Sequence, residues 1–584
     1  MKNRKDSYMK KIISILIMLA IATFTAKSQH ITNTLGTGGV FKIHDGGSTY
    51  LSIMQSNGFI DVSRNIKLAY TTNSNVGVIM KEGGSFIHDF KGTGSLGGNT
   101  FMGYSSGNFT MTTASYNTGL GFGTLYSLTT GSRNTAIGNS SMIATTTGTD
   151  NSSLGTGSLF HNTTGSYNSA FGSSALYGNL NGSGNSSFGA SSMLTNSSGS
   201  LNCAFGINSL SSNSTGSYNC AFGSNSLLTN STGNLNSAFG NNTMENNSTG
   251  EQNTALGSSS LNNNSTGSYN NGIGVNSLTL NTTGSNNNAF GKSSLYFNTT
   301  GDGNVAMGTF SLFNNITADN NTAIGIVSLY SNSTGYSNTG IGSNSLQGNT
   351  TGAGNTSIGS FSMTGNTTGQ LNTVIGYQAG TNIINGSNVI LLGYNTEPTT
   401  SSVSNQITLG NNSITSLRCN VTTITSLSDA RDKKNINDLP LGLSFISKLK
   451  PRLYNWDKRE WYDGSVSDGS KMQEAPTAGF IAQELDEVQT SENAEWLNLV
   501  LKDNPEKWEA TPGNLLPVMV KAIQELKEEN DKLKVTDSEM SGKYNELKQE
   551  NSNLLERLRH VEKLLNIYDS PVTETVNNSN PSGK

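Results

Sequence analysis

Ser428 and Lys433 stand five residues apart in Ser428-Asp429-Ala430-Arg431-Asp432-Lys433. A hydroxyl beside a lysine suffices for nucleophilic catalysis without histidine: the oxygen attacks a carbonyl and the amine takes its proton. The amine is a poor base until burial lowers its pKa from the ordinary value of about 10.4. A five-residue offset on a helix is a rotation of about 140°, so the pair meets across a turn or between protomers rather than along one helix face. On Ser428 and Lys433 alone the blander reading prevails, that Ser-Asp opens a helix as an N-cap and the lysines form a solvated face. Cys203 and Cys220 are the second constellation, 17 residues apart. They either form a disulfide or replace the Ser or Thr usual at their position. Glu245 and Glu251 are the nearest acidic pair in the middle of the chain, where glycoside hydrolysis would need two carboxylates across a cleft. The histidines (His30, His44, His88, His161, His560) never cluster, so neither a metal site nor a cofactor is expected.

What positions the cysteine and glutamate pairs is a repeat. Glycine returns every 17 residues at Gly121, Gly138, Gly155, Gly172 and onward to Gly410, and a second glycine keeps the same period from Gly131 to Gly386, broken only by Ala318. The unit reads N-x-[A/S]-[F/I/L]-G-x-x-S-[L/M]-x-x-N-x-T-G-x-x. A fixed short period makes each unit one coil of a solenoid that buries its apolar face only against its neighbours. Seventeen residues are too few for paired helices and suit two short strands and two turns, so the fold class is mainly β, a parallel β-solenoid or β-roll. Stacked coils lie about 4.8 Å apart, which brings the Cα atoms of Cys203 and Cys220 inside the disulfide window.

Within N-x-A-F-G the side chains alternate between two faces. Phe171 and Leu176 are expected inside the coil. Ala170 and its equivalents Ala136, Ala204, Ala221 and Ala255 are expected outside, as a row of small residues against which another chain packs. Both glycine rows are expected to supply positive backbone dihedrals, and the rows of Asn134, Asn151 and Asn168 to stack as amide ladders. Over about residues 117–410 this pattern resembles the head of trimeric autotransporter adhesins, and more closely the Gly/Asn/Thr-rich repeats of secreted Bacteroidetes fibre proteins. The resemblance implies parallel β-rolls joined as homotrimers. The repeat here is longer, and membrane-anchor strands of the autotransporter type are not expected at its carboxy-terminal end.

Only seven charged residues lie between 117 and 392, Arg133, Asp150, Glu245, Glu251, Lys292, Asp302 and Asp319, and the net charge of the chain is −4. No basic stripe is present to hold phosphates, which excludes a nucleic-acid binder. Lys10 and Lys11, an apolar run from Ile12 to Phe24 and then Ala26-Lys27-Ser28 predict a signal peptide over residues 1–28. The run is shorter than the roughly 20 residues of a membrane span. Secretion to the cell surface or beyond is therefore expected, with no membrane span left after signal removal. Residues 29–116 alternate apolar and polar and predict strands at Val40-Phe41-Lys42-Ile43 and Tyr50-Leu51-Ser52-Ile53-Met54.

From Ser428 the chain is dense in charge. Lys450-Pro451-Arg452-Leu453-Tyr454-Asn455-Trp456 and Gly479-Phe480-Ile481-Ala482-Gln483-Glu484-Leu485 follow the Ser-Asp motif. Together the three resemble the intramolecular chaperone domain that ends bacteriophage endosialidase tailspikes, a self-cleaving serine peptidase family. The resemblance implies Ser428 as nucleophile, Lys433 as base, a cut between Leu427 and Ser428, and trimeric assembly. The glycine-led stretch is expected to pack rather than react. A helix is expected after Asn514, with Pro517 tolerated in its first turn. Its 4-3 apolar spacing through Ile523, Leu526, Leu533, Met540, Leu547, Leu554, Leu558, Val561 and Leu565 predicts a coiled coil.

The expected order is signal peptide 1–28, β-rich region 29–116, solenoid 117–410, connector 411–427, small α+β chaperone 428–513, coiled coil 514–568 and a disordered tail 569–584. The function so implied is a secreted homotrimeric fibre or adhesin, binding a surface or extracellular ligand, whose carboxy-terminal module trimerises it and then cuts itself off. A purely structural fibre and a tailspike-like enzyme acting on glycans are the alternatives.

Overall fold

The structure, a computed structural model, describes strands at 40–45, 48–54 and 60–61, then residues 68–418, 420 and 428–565. The expected signal segment, Cys419, Leu427 and the chain beyond 565 lie outside the described residues. The chain divides into two units, residues 1–270 and 271–584.

In the first unit Val40–Asp45 pairs antiparallel with Ser48–Met54, which pairs with Ile60–Asp61. A hairpin of Ile79–Lys81 and Gly84–His88 is joined antiparallel to Thr100–Met102. From there every pairing is parallel and in register: Thr100 faces Thr118, Thr118 faces Thr135, and the ladder runs on through Ser186, Cys203, Cys220, Ser237 and Thr254. The stack thus begins one coil before the unbroken 17-residue count. One extra residue between Gly103 and Gly121 hides that first coil from the sequence. The second unit repeats the arrangement from Asn271–Ile273 to Ile407–Leu409. The fold is a parallel β-solenoid with three-residue strands.

Within the strand the faces are the reverse of the expectation, while Leu176 lies inside as expected. Ala136, Ala170, Ala204, Ala221 and Ala255 are fully buried, with Leu176 and Leu210, whereas Phe171, Phe188, Phe205 and Phe222 are only partly covered. Alternation dictates that neighbours point to opposite sides, not which side is inside. At Ala204, Ala221 and Ala255 each coil level already holds a Leu, a Ser hydroxyl and two asparagine amides, which leaves room for a methyl and none for a benzene ring at successive strand spacings. The rings instead stack outside the coil, with Phe188–Phe205 and Phe205–Phe222 centroids 4.5 and 4.7 Å apart and nearly parallel. Ala204→Leu is therefore expected to cost about 1–3 kcal/mol by overpacking in denaturant unfolding. An unchanged midpoint would put Ala204 on an outer face.

Two amide ladders close the polar part of the core. The Asn219 side chain donates to Asn202 Oδ1 (3.2 Å) and to Gly233 O (2.8 Å), while its backbone N–H donates to the same Asn202 oxygen (2.9 Å). A second ladder, not anticipated, runs through the asparagine of N-x-T-G: Asn213 donates to Asn196 Oδ1 (2.6 Å) and Gly216 O (2.9 Å). These amides are fully buried and bonded coil to coil, with only the Oδ1 of Asn366, where Ile383 ends the second ladder, left without a partner among the described residues, so they fix register where an apolar core alone would allow slippage.

The two glycine rows do different work. Gly206 has φ +138, a region closed to side chains. Gly216 does not need a positive φ. A Cβ there would lie 2.4 Å from both Gly233 O and Asn213 Oδ1, so this row is small because the next coil approaches it. Buried Leu176 and Leu210, by contrast, sit at φ +52, a conformation that costs leucine about 1–2 kcal/mol and is held by burial and by bonds such as Leu210 N–H to Ser226 O.

In the second unit the region after the coils is small and α+β. A short helix Leu443–Ile446 precedes the strand Arg452–Tyr454, which pairs antiparallel with Thr477–Gly479. The helix Ala482–Ser491, the strand pair Val500–Leu501 and Glu509–Ala510, and a long helix Leu516–Leu564 follow. Phe445, Leu485, Leu499, Leu515 and Val518 form its core.

Candidate functional site

Asp429 builds the local geometry of the Ser428 site. It is the N-cap of a one-turn 3-10 helix, Ala430–Asp432, and its carboxylate accepts the Arg431 backbone N–H at 2.8 Å. The Arg431 guanidinium folds back on the same carboxylate, Nε to Oδ1 at 3.0 Å and Nη2 to Oδ2 at 2.6 Å. That fork, with the backbone bond, holds the Asp429 carboxyl below the usual carboxylate range. The tight turn then returns the chain, and Lys433 Nζ donates a hydrogen bond to Ser428 Oγ. The five-residue offset is bridged across a turn, and the N-cap belongs to Asp429, not Ser428. Ser428 and Lys433 are both exposed. Leu427, on the other side of the expected cut, lies outside the described residues.

The other two motifs support this segment. Phe480, Ala482 and Leu485 pack into the small core, as expected of the glycine-led stretch. Arg452 and Glu484, one from each motif, form an ion pair with Nε to Oε2 at 2.9 Å. Sequence reading missed this contact because the partners are 32 residues apart, although both stand in quoted motifs. The Arg452 hydrogen bond holds the Glu484 carboxyl below its ordinary value of 4.5. A depressed folded-state pKa stabilises the fold above the ordinary value and ceases to do so as pH falls through the lowered one. Unfolding midpoints measured from pH 6 downward should therefore show a smaller acid-side loss for Glu484→Gln than for the native chain. Equal slopes would show that the pair does not couple to folding.

The long helix is tied to the same segment. Glu525 accepts the Leu443 backbone N–H at 2.7 Å and so caps the short helix. Beyond that contact the apolar seam is open: Ile523, Leu533, Met540 and Leu547 are all exposed.

The remaining candidates are not brought together. Cys203 and Cys220 face each other across paired strands and are free thiols in this structure. In-register parallel neighbours keep their Cβ atoms about one strand spacing apart, beyond the roughly 3.5–4.5 Å of a relaxed bridge. Partial burial, then the neighbouring Cys203, push the Cys220 thiol up. Glu245 accepts from Asn262 Nδ2 (3.0 Å) and Glu251 from Asn234 Nδ2 (2.9 Å). Each carboxylate is engaged with an adjacent coil rather than aimed at a shared cleft. Among the described residues no three His, Cys, Asp or Glu side chains converge as a metal site would require, and no described helix is long and apolar enough to cross a membrane.

No curated protein and no solved structure matches the chain. Residues 428–493, from the nucleophile candidate to two residues past the helix that carries Glu484, match the family model Peptidase_S74, chaperone of endosialidase. The segment that follows the β-solenoid is thus similar to the chaperone of endosialidase family.

Proposed function

We propose that the chain is a secreted, homotrimeric surface fibre of adhesin type whose carboxy-terminal segment assembles three copies, sets the register of the solenoid, and then releases itself by a cut before Ser428. The observation that carries this reading is the Lys433–Ser428 hydrogen bond, made across a one-turn helix at the start of the segment matching the chaperone family. Parallel in-register pairing of distant chains is slow to nucleate, and a detachable registration device answers that need.

The chemistry follows from the position of the serine. Ser428 Oγ attacks the carbonyl carbon of the Leu427–Ser428 peptide bond while Lys433, as neutral amine, accepts the hydroxyl proton. The tetrahedral adduct collapses with loss of the Ser428 nitrogen, which takes that proton and becomes the new amino terminus. The acyl group is left as an ester on Oγ. Water hydrolyses the ester, giving the Leu427 carboxylate and restoring the hydroxyl. The enzyme is its own single-turnover substrate. Both residues are exposed in one chain; packing of copies around the site would exclude water from it, and burial favours the neutral amine that a general base requires. The uncovered heptad seam supports this coupling, because three such helices can bury it mutually.

Light scattering on the Ser428→Ala chain tests assembly apart from chemistry, and three times the chain mass is expected. Removing residues 530–584 should slow the self-cut in the native sequence and make it fall off on dilution. A monomer that cuts at the same rate at every concentration would refute the coupling.

A further inference from the structure

In residues up to 270 the third position of the strand is bulky and apolar in every coil from Leu120 to Leu256. The row is nonetheless in contact with solvent: Leu154 is 46% exposed, Phe239 39% and Leu256 49%. No other outward row there is uniformly apolar. The one preceding the buried asparagine holds Arg133, Asp150, Tyr167, Gly184 and Gln252, as a solvated edge tolerates. In the second unit the same strand position is again apolar throughout, from Ile273 to Leu409.

We propose that this strand face, not the buried alanine row, is the surface by which copies of the chain pack on one another; the proposal rests on the homotrimer reading. Size favours it. With side chains of about 200 Å² each left roughly a third exposed, the nine side chains of the row in the first unit uncover on the order of 500 Å². That single row matches the largest apolar patch a soluble monomer commonly shows and supplies much of the ~800 Å² per partner of a stable interface. Spacing favours a second copy over another partner. The row repeats at the strand spacing and carries no charge, so the surface most regularly matched to it is the same row on another chain. The helix Leu516–Leu564 leaves its apolar seam equally uncovered, so two separate modules of one chain require the same kind of partner.

The chain carries its own reporters. Cys203 and Cys220 open the strands that end in Phe205 and Phe222, with buried Ala204 and Ala221 between. Each thiol therefore points to the same side as the phenylalanine two residues on. The full chain carrying Cys419→Ser is co-refolded from isotopically light and heavy stocks, oxidised with copper phenanthroline or treated with a short bis-maleimide, and digested for mass spectrometry. Mixed light–heavy peptides joined through Cys203 or Cys220 are expected, and they should be lost in Cys203→Ser/Cys220→Ser. With those three thiols removed, a cysteine placed at the exposed edge by Tyr218→Cys should label freely and give no mixed peptide. If light scattering shows a trimer while Cys203 and Cys220 react openly with a bulky maleimide and link only within one chain, this face is overturned and the trimer stands. Mixed peptides from the Tyr218→Cys chain would overturn it in the same way. A monomer overturns both.

Discussion

Ser428→Ala is expected to leave a full-length chain where the native chain separates into two fragments. The alanine has no oxygen to form the ester, so the loss is complete rather than graded. Lys433→Ala removes only the proton acceptor, and a lost general base slows a reaction by about 10²–10⁴-fold; over hours the chain should again run intact. Ser428→Cys should keep part of the activity, since a thiolate is a competent nucleophile in the same position. All three should retain the oligomeric mass, because neither Ser428 nor Lys433 belongs to the small core around Phe445 and Leu485. Processing that persists in Ser428→Ala at the native rate would assign the cut to an external protease.

The second large effect belongs to the solenoid. Gly206→Ala places a methyl 2.5 Å from Gly223 O and 2.6 Å from its carbonyl carbon, at φ +138. Those atoms are backbone of the next coil and cannot swing aside. Strain of about 1–3 kcal/mol for the forbidden dihedral adds to about 1–3 kcal/mol for overpacking, so unfolding monitored by far-UV circular dichroism should shift by about 3 kcal/mol or more. Leu201→Asn is the contrast. Leu201 has φ +59 on an exposed edge, where asparagine tolerates the left-handed conformation better than leucine; stability should hold or rise. Equal losses at the two positions would mean that the coil spacing, not the glycine row, is the flexible part.

Periodicity made the solenoid legible, because a coil that must stack in register repeats its glycines and asparagines without drift. The inside of the coil was not legible. Ala170 and Phe171 alternate equally well either way, and only the room left beside Leu176 and the asparagines decides that the alanine goes in. The second amide ladder was hidden because Asn213 stands in a stretch that reads as turn chemistry. The left-handed Leu210 gave no signal at all, since leucine is not a residue chosen for turns. At the candidate site, three ordered motifs pointed to Ser428 and Lys433. The Asp429–Arg431 fork that shapes the turn between them was inside the quoted motif, yet no rule of spacing assigns it that task. The Arg452–Glu484 pair depends on a strand and a helix meeting across 32 residues, information that exists only in the folded chain. The heptad announced the long helix Leu516–Leu564, whereas its uncovered seam defines a need for partners without counting them.

The most direct measurement is the amino-terminal sequence of the smaller fragment released by purified native chain with no protease added, taken beside the Ser428→Ala chain. The account predicts Ser428-Asp429-Ala430 as the first residues and no such fragment from the variant. A fragment that begins elsewhere, or one that begins at residue 428 in both chains, would contradict self-cleavage by Ser428.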